Sequence, residues 1–430
     1  MKNVRYYIFW ILDYLKGQSI RKEYKEIEKC FYDKEFKNLT QNKNLKSILD
    51  YSVNFTAYYK KFDSNNILSF PIINKKNILD NYDLFFSSDY NLNDSSLRVM
   101  STSGSSGVPF RIYQNQEKIK RNSADLLFFY NLGNYNIGDR VFFMRIWNSV
   151  NVKSKFTLFK ENFRMYDTSN IDLEGANRFT ATMLNDRSKK VVLAYASSFT
   201  ALMEHLGNES NVKLDWNIKS IITGAEELPV SVKHKMIKTF DCPVLSRYSN
   251  QENGILAQQP VTGEDYFELN EGSYYFEFLK LNSDEPAKEG ELSRIVITDL
   301  FNKVMPIIRY DTGDLCEFGY ENNKKVIKSI KGRSIDLLRN SKNEVLSPHV
   351  VTNLMWKYPD VKEFQLIQKD LINIDLFLVH AFSNKENSIN SLITELIGIF
   401  GVSSVIKIIE VESIPLEKSG KRKYIKSLIQ

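Results

Sequence analysis

Short apolar runs alternate with helical stretches through the middle of the chain, from about residue 97 onward. The pattern predicts buried strands at Val191–Tyr195, Ile218–Ile222 and Pro243–Leu245. It predicts the helices that follow the first two of them at Phe199–Leu206 and Val230–Phe240. Strands that alternate with helices of about ten residues indicate βαβ units and a largely parallel sheet, so we predict an α/β fold. Ligands of such sheets bind at the loops after the carboxyl ends of the strands.

The pattern changes near Gly272, after which antiparallel strands are expected at Tyr274–Phe278, Arg294–Ile297 and Val304–Tyr310. The last hundred residues predict a small α+β unit. Its elements are helices at His349–Tyr358 and Ile389–Phe400, with strands at Glu363–Ile367, Ile372–Val379 and Val405–Val411. We place the boundary at Lys331-Gly332-Arg333, which gives a large multi-sheet body over 1–332, helical in its first 96 residues, and a C-terminal domain over 333–430.

The N-terminus opens on an aromatic and apolar run, Tyr6–Leu12, that ends at Asp13. The run is far shorter than the ~20 apolar residues of a spanning helix, and no small-residue cleavage site follows it. The favoured interpretation is a helix whose aromatic side packs on the body. A peripheral membrane contact through residues 1–60 stays open as the alternative. The next segment, Arg21–Lys46, predicts one or two charged helices.

Composition and charge argue against several classes of protein. The chain has 430 residues, 43% hydrophobic and 26% charged, which is typical of a globular protein and argues against a disordered or collagen-like chain. The net charge is only +6, and residues 1–60 hold 12 Lys or Arg against seven Asp or Glu. A nucleic-acid binder usually spreads basic residues over its recognition surface, so no nucleic-acid partner is expected.

The cysteines and histidines give no metal-binding pattern. Cys30, Cys242 and Cys316 are far apart, and the four histidines form no paired arrangement. Structural zinc sites generally use spaced pairs of Cys and His, so no such site is expected. The thiols fit a reduced, cytoplasmic protein.

The most distinctive segment is rich in serine and glycine and runs Ser101-Thr102-Ser103-Gly104-Ser105-Ser106-Gly107. Small residues let the backbone approach a ligand, while hydroxyl and N–H groups suit a polyphosphate. It is no Walker A loop, because the lysine of that motif is absent. From these residues alone a solvated linker remains the alternative, although apolar strand-like runs flank the segment.

This segment resembles the phosphate loop, TSGSTGxP, of the adenylate-forming enzymes, which include acyl-CoA synthetases, adenylation domains and luciferases. Further motifs of that superfamily follow in order. Gly224-Ala225-Glu226 resembles the loop whose backbone lines the adenine pocket. Arg247–Gly254 is similar to the YGxTE segment, which implies that Tyr248 stacks on adenine and that Glu252 holds Mg²⁺. Ser249 and Gln251 depart from that motif, which puts a phosphate-side hydrogen bond in doubt.

Three motifs complete the series. Arg309–Leu315 resembles RYxTGDL, which implies that Asp314 binds the ribose hydroxyls. Lys331–Asp336 resembles the hinge motif GRxDD, which implies that Arg333 contacts the nucleotide, although Ile335 replaces the first Asp. Pro415–Lys423 resembles the terminal PxxxSGKxxR loop, which implies that Lys421 is the catalytic lysine.

The ordered match covers about Leu97 to Lys423 and most resembles the phenylacetate-CoA ligase-like group, in which we favour the CapK capsular-polysaccharide side. The resemblance implies ATP-dependent, AMP-forming activation of a carboxylate, with Glu252 and Lys421 as catalytic groups. A mobile C-terminal lid domain would carry Lys421. The acyl group would pass to a thiol (CoA or a carrier), an amine or a hydroxyl. The resemblance to the CapK side suggests a role in surface polysaccharide biosynthesis.

The acyl pocket is expected near Arg145, Tyr195 and Ser197, although a structural salt bridge of Arg145 is an equal alternative. The resemblance implies ATP, Mg²⁺ and, for one acceptor, CoA. Two other functions stay open: nucleotidyl transfer to a hydroxyl, as in coenzyme F390 synthetases, and an inactive scaffold. The expected location is the cytoplasm, with peripheral contact at the inner face of the membrane as the variant that residues 1–60 suggest.

Overall fold

The structure is a computed structural model, and it describes residues 3–102, 110–145, 147, 152–168, 171–206, 215–224, 226–333, 338–346, 349–355, 357–358, 360–415 and 424–429. The chain divides into two compact units. The first comprises residues 1–291, 295–312 and 318–329, and the second comprises 292–294, 313–317 and 330–430. No helix in the described ranges combines the length and the apolar character needed to cross a bilayer.

Helices open the chain and then alternate with strands. The helices are α1 Val4–Leu15, α2 Ser19–Tyr32, α3 Lys34–Phe55, α4 Lys75–Asp80, α5 Gln116–Leu132, α6 Lys155–Lys160, α7 Leu173–Asn185, α8 Ala196–His205, α9 Val230–Phe240, α10 His349–Met355 and α11 Lys385–Phe400. A side-chain oxygen caps the first turn of several of these helices. Asp33 accepts the N–H of Phe36 at the start of α3, and Asp172 accepts the N–H of Gly175 at the start of α7.

Nineteen strands lie in the described ranges. They are β1 Arg98–Thr102, β2 Phe110–Gln114, β3 Arg140–Arg145, β4 Phe163–Asp167, β5 Lys190–Tyr195, β6 Ile218–Gly224, β7 Val244–Asn250, β8 Gly254–Gln258, β9 Phe267–Leu269, β10 Tyr274–Lys280, β11 Leu292–Asp299, β12 Tyr310–Glu321, β13 Lys324–Arg333, β14 Leu338–Arg339, β15 Val345–Leu346, β16 Val361–Gln368, β17 Asn373–His380, β18 Val405–Glu410 and β19 Ile425–Ser427.

An 11-stranded sheet has the order β10-β11-β12-β13-β9-β8-β7-β6-β5-β3-β4. Its strands β3 to β7 pair in parallel, and β7, β8 and β9 pair antiparallel. Helices α7, α8 and α9 cover one face of the parallel part through a buried aromatic cluster that includes Phe179, Phe199, Trp216 and Phe240. The predicted α/β fold with βαβ units is confirmed.

The second unit contains a four-stranded sheet with the order β18-β17-β16-β19. Leu392, Leu396 and Phe400 of α11 pack on it together with Leu366 and Leu376 of the strands. The predicted α+β character of this part is confirmed. Helix α11 begins earlier than expected, because the Asn384 side chain accepts the N–H of Asn387. Strand β19 was not predicted.

The strand expected at Val304–Tyr310 is wrong. The strand begins only at Tyr310 and runs through the TGD residues. Pro306 has no N–H to donate to a ladder, and Arg309 has a φ of 49°, in the left-handed region that does not fit a strand. The apolar run therefore predicted correctly that these residues are buried, but it predicted the wrong backbone conformation.

Candidate active site

Three of the predicted site residues meet at the carboxyl edge of the parallel strands. Tyr195 ends β5, Gly224 ends β6, and Tyr248 lies in β7. Tyr195 is in register with Gly224, and Gly224 is in register with Arg247. Residues spread over more than 50 positions of sequence thus lie on three adjacent strands, at the edge where this class of sheet binds ligands.

Tyr248 is anchored to the strand that carries the TGD motif. Its hydroxyl donates to Thr312 Oγ1 at 3.2 Å, and Thr312 Oγ1 donates to the carbonyl of Ile295 at 3.0 Å. The Tyr248 side chain is 8% exposed, so its orientation is fixed by the surrounding protein. Asp314 follows two residues after Thr312 on β12 and is partly buried.

Glu252 lies in the tight turn between β7 and β8 and is partly exposed. The backbone on either side of it is held firmly. Asn253 donates its N–H to Asn250 Oδ1 at 2.9 Å, and its carbonyl accepts the hydroxyl of Tyr274 at 2.6 Å. Gly254 has a φ of 118°, and a Cβ there would lie 3.0 Å from Asn122 Oδ1. A side chain at this position would be strained, so the turn favours glycine here.

A buried network of hydrogen bonds holds the backbone of this turn. Lys118 Nζ donates to the Tyr274 hydroxyl at 2.8 Å and forms a fully buried ion pair with Asp299 at 2.7 Å. Burial raises the pKa of Tyr274 well above its usual value, with the Asp299 charge adding to the shift, so the phenol stays protonated. A neutral hydroxyl can accept from Lys118 and donate to Asn253 at the same time.

The network continues along α5 toward the N-terminal helices. Arg121 Nε donates to Ser273 Oγ at 2.8 Å, and Ser273 Oγ donates to Asp125 Oδ1 at 2.7 Å. Arg121 Nη1 lies 2.8 Å from the carboxylates of Glu23 and Glu26 in α2. Sequence reasoning missed this network. The sequence contained one indication of the network. Charged residues recur on the face of α5 that also carries Phe128, namely Lys118, Arg121 and Asp125.

Glu226 binds the first turn of α8. Its Oε2 accepts the N–H of Ser197 at 2.9 Å, where the positive end of the helix dipole favours a carboxylate. Its other oxygen, Oε1, is buried and has no hydrogen-bond partner among the described residues. The predicted site residues Glu226 and Ser197 are therefore in contact, and the pair retains one free acceptor at the carboxyl edge.

Arg145, at the end of β3, is surrounded by aromatic rings. Its Cζ lies 5.6 Å from the ring centre of Phe143, 5.4 Å from Trp147 and 5.9 Å from Tyr195. The structural salt bridge that the sequence left open is not found among the described residues. The Nε atom is buried there without an acceptor. Arg145 is thus a cation held in place by rings, with a donor to spare.

Arg309 of the RYDTGDL motif contrasts with Arg145. It is buried, and its Nε and Nη2 donate to the Glu277 carboxylate at 2.9–3.2 Å. Its Nη1 donates to the carbonyl of Phe70 at 3.0 Å. The motif arginine therefore fixes the start of β12, and no sequence signal linked it to Glu277.

Other predicted residues lie at the ends of described segments or outside them. Ser101 and Thr102 end β1, which pairs antiparallel with β2, so strands do flank the serine-glycine segment. Arg333 is the last residue of β13. Outside the described residues are Ser103, Gly104, Ser105, Ser106, Gly107, Ala225 and Lys421.

The thiols take no part in this edge of the sheet. Cys30, Cys242 and Cys316 are all buried and unpaired. Burial raises the pKa of the Cys30 thiol to about 11 and the pKa of Cys242 and Cys316 to about 12. Within the described ranges no group of three or more His, Cys, Asp or Glu side chains could hold a metal ion.

Known proteins resemble this chain in sequence and in fold. Residues 337–428 match the model of the CapK C-terminal domain. The chain is 24% identical to Protein CapK of Staphylococcus aureus over 434 aligned positions, which cover 96% of this chain and 93% of that protein. The chain resembles CapK along nearly its whole length. The predicted resemblance is thereby confirmed.

The solved structures similar to this CapK-like chain include CoA ligases. A 2-hydroxyisobutyryl-CoA ligase in complex with 2-HIB-AMP matches with a TM-score of 0.71 at 13% identity, covering 93% of this chain and 90% of the ligase. An anthranilate CoA ligase in complex with anthranoyl-AMP matches with a TM-score of 0.57 at 15% identity, covering 75% and 64%. At these identities the matches establish the shared fold.

Proposed function

We propose that the CapK-like chain uses ATP to activate a carboxylic acid as its acyl adenylate. A carboxylate oxygen would attack the α-phosphorus of ATP, forming one P–O bond while the bond to the β-phosphate breaks. Pyrophosphate leaves, and the acyl group then moves to an acceptor with release of AMP. Such a reaction needs positioning and charge stabilisation more than covalent help from the protein.

The observation that carries the proposal is the meeting of Tyr195, Gly224 and Tyr248 at one edge of the sheet. Gly224 and Tyr248 belong to motifs that resemble those of the adenylate-forming enzymes, in the same order, and Tyr195 is a predicted residue of the acyl pocket. The similarity to CapK and the fold shared with ligases that bind acyl-AMP support the same reaction.

Each end of the nucleotide has candidate ligands. Tyr248 would cover a face of adenine, because a ring held by Thr312 offers a rigid flat surface. Asp314 would accept hydrogen bonds from the ribose hydroxyls. Ser101–Gly107 would hold the β- and γ-phosphates, and Arg333 would contact the nucleotide. Lys421 would stabilise the negative charge that develops between the carboxylate and the α-phosphate.

Glu252 fits a role as the protein ligand of Mg²⁺. Its carboxylate is partly exposed, has no cation bound to it among the described residues and stands on a rigid turn. Magnesium in ATP sites commonly uses one or two carboxylates together with phosphate oxygens, so a dedicated cluster of acids is not required. When bound, the ion supplies neutralisation of phosphate charge.

The acid would bind beside Arg145, Tyr195 and Ser197. The guanidinium of Arg145 has a free donor and aromatic neighbours, a combination that suits a small organic acid or a phosphorylated one. The acceptor would be a thiol (CoA or a carrier protein), an amine or a hydroxyl. The similarity to CapK favours a role in surface polysaccharide biosynthesis.

The test begins with the purified full-length chain. Mass spectrometry of extracted ligands searches for an acyl-AMP, and pyrophosphate exchange into ATP is measured with a panel of carboxylic acids. We expect exchange with at least one acid and its loss by about a hundredfold or more in Lys421→Ala. ATP binding by calorimetry should persist. Lys418→Ala, in the same segment, is the matched control and should keep the exchange.

Three results would contradict the proposal or the role that it gives to Lys421. Unchanged exchange in Lys421→Ala would remove that residue from the reaction. A product carrying AMP on a hydroxyl, formed without any carboxylic acid, would show nucleotidyl transfer instead. Absence of ATP binding would indicate a scaffold.

A further inference from the structure

Helix α1 presents an apolar stripe to solvent. Val4, Tyr7, Ile8, Ile11 and Leu15 follow one another at intervals of one, three and four residues, so they lie on one face of the helix. Their exposed fractions run from 50% at Ile8 to 73% at Leu15. Large apolar residues exposed singly are ordinary, but a continuous stripe of them marks a contact surface.

The opposite face of α1 is fixed to the protein. Trp10 packs edge-on against Tyr24 of α2, with ring centres 5.9 Å apart. The buried carboxylate of Asp13 accepts the N–H groups of Ile20 and Arg21, each at 3.0 Å. The apolar stripe is therefore the outer face of a firmly docked helix.

Helix α6 extends this surface. Arg5 Nη1 donates to the carbonyls of Phe159 at 2.5 Å and Lys160 at 3.2 Å, and its Cζ lies 4.9 Å from the Phe159 ring. Phe156 and Phe159 are 75% and 72% exposed and stand one turn apart on α6. We call the stripe of α1 together with these two rings the α1–α6 surface.

Basic residues flank the α1–α6 surface. Lys16 directly follows α1, and Lys155 and Lys160 are the first and last residues of α6, on either side of Phe156 and Phe159. All three lysines are exposed.

The acidic groups nearby are engaged elsewhere in the protein. Asp13 is buried, Glu23 binds Arg121, and Glu161 binds Lys153 at 2.5 Å. Exposed apolar and aromatic residues inside a basic rim are the chemistry of helices that lie in the interface of an anionic membrane.

We propose that the α1–α6 surface docks on a membrane that contains anionic lipids, with α1 lying parallel to the bilayer plane. A helix of 12 residues is ~18 Å long and can lie in the interface but not span it. A second copy of the chain fits this surface less well. In a twofold dimer the surface would face itself, and the basic rims would repel each other. The proposal does not depend on the ATP-dependent activity.

The test is co-sedimentation of the full-length chain with two kinds of vesicle, phosphatidylcholine alone and phosphatidylcholine with phosphatidylglycerol. We expect binding to the anionic vesicles that weakens with added salt. Ile8→Ser/Ile11→Ser should weaken it by about tenfold or more, because about half of each side chain would enter the interface. Lys155→Gln/Lys160→Gln should weaken it by about tenfold through loss of charge.

The matched control is Leu39→Ser/Leu68→Ser, which removes two apolar side chains that are each 66% exposed elsewhere in the chain. This variant should bind as the wild type does, and circular dichroism should show that all variants are folded. Equal loss in the control, or no binding to anionic vesicles, would overturn the proposal. So would a dimer in light scattering that Ile8→Ser/Ile11→Ser abolishes, since the surface would then be an interface between copies.

Discussion

Two arginines of the first unit are held in opposite ways. Arg309, before β12, uses Nε, Nη1 and Nη2 on Glu277 and a backbone carbonyl. Arg145, the last residue of β3, is held by three aromatic rings and keeps an Nε without an acceptor in the described part of the chain.

The two arginines illustrate the difference between a side chain that stabilises the fold and one that is available to bind a ligand. Arg309 is saturated, so the protein gains a fixed backbone there and offers nothing to a ligand. Arg145 is oriented but unsaturated, which is costly unless a ligand binds it. The same division separates Tyr274, whose hydroxyl is fully used, from Gly224, whose neighbourhood has room.

The largest effect is expected at Glu277. Replacing it by alanine leaves Arg309 buried without its carboxylate, which should lower the free energy of unfolding by about 3–5 kcal/mol. Urea unfolding followed by circular dichroism measures the change. Glu285→Ala, which breaks the exposed pair with Lys280, is the control and should leave the midpoint unchanged. Equal midpoints for the two variants would mean that Arg309 is not held by this pair.

Tyr274→Phe should have an intermediate effect. The Asn253 carbonyl loses its donor and Lys118 loses one acceptor, so the free energy of unfolding should fall by about 1–3 kcal/mol. Under the proposed function the turn that carries Glu252 would also loosen, and KM for MgATP should rise more than kcat falls. Tyr275→Phe is the neighbouring control. A stability loss with kinetics unchanged would limit Tyr274 to a structural role.

Arg145→Ala should cost little stability, about 1 kcal/mol, because only its contacts with the rings are lost. If Arg145 receives the acid, KM for the carboxylic acid should rise by at least about tenfold, since a charged hydrogen bond is removed. Arg145→Lys should recover part of that loss. Steady-state kinetics of both variants, with the acid identified by pyrophosphate exchange, measures this KM. An unchanged KM would indicate that Arg145 only packs against the aromatic rings.

The smallest effect on stability is expected at Gly224. A Cβ there would lie 3.5 Å from the Arg247 carbonyl, an ordinary contact, so Gly224→Ala should change the free energy of unfolding by less than about 0.5 kcal/mol. KM for ATP should nevertheless rise if the backbone of Gly224 approaches the nucleotide. Gly254→Ala is the contrasting variant, because its φ of 118° is strained for alanine and should cost about 1–3 kcal/mol. Equal unfolding midpoints would show that the turn tolerates a side chain.

The sequence was informative where periodicity decides structure. Strands β5 and β6 and helix α9 lie within a few residues of their predicted positions, because buried parallel strands and amphipathic helices leave simple patterns. These elements also position Tyr195 and Gly224, so the meeting of these two residues could be anticipated.

Contacts between distant residues could not be predicted. Glu277 is 32 positions from Arg309, and Tyr274 is 21 positions from Asn253, with nothing in the local sequence to pair them. The strand expected at Val304–Tyr310 failed because hydrophobicity reports burial and is blind to the sign of φ at Arg309. The exposed stripe of α1 was foreseen only through the alternative of a membrane contact, since an apolar helix face is normally assumed to point inward.

Arg309 also sets a limit on substitution. Its φ of 49° favours glycine or asparagine, while its contacts with Glu277 and Phe70 need a guanidinium. A residue that relaxes the backbone abandons the ion pair, and one that keeps a positive charge keeps the strain. No single replacement meets both demands, so an evolving chain can change this position only together with its partners.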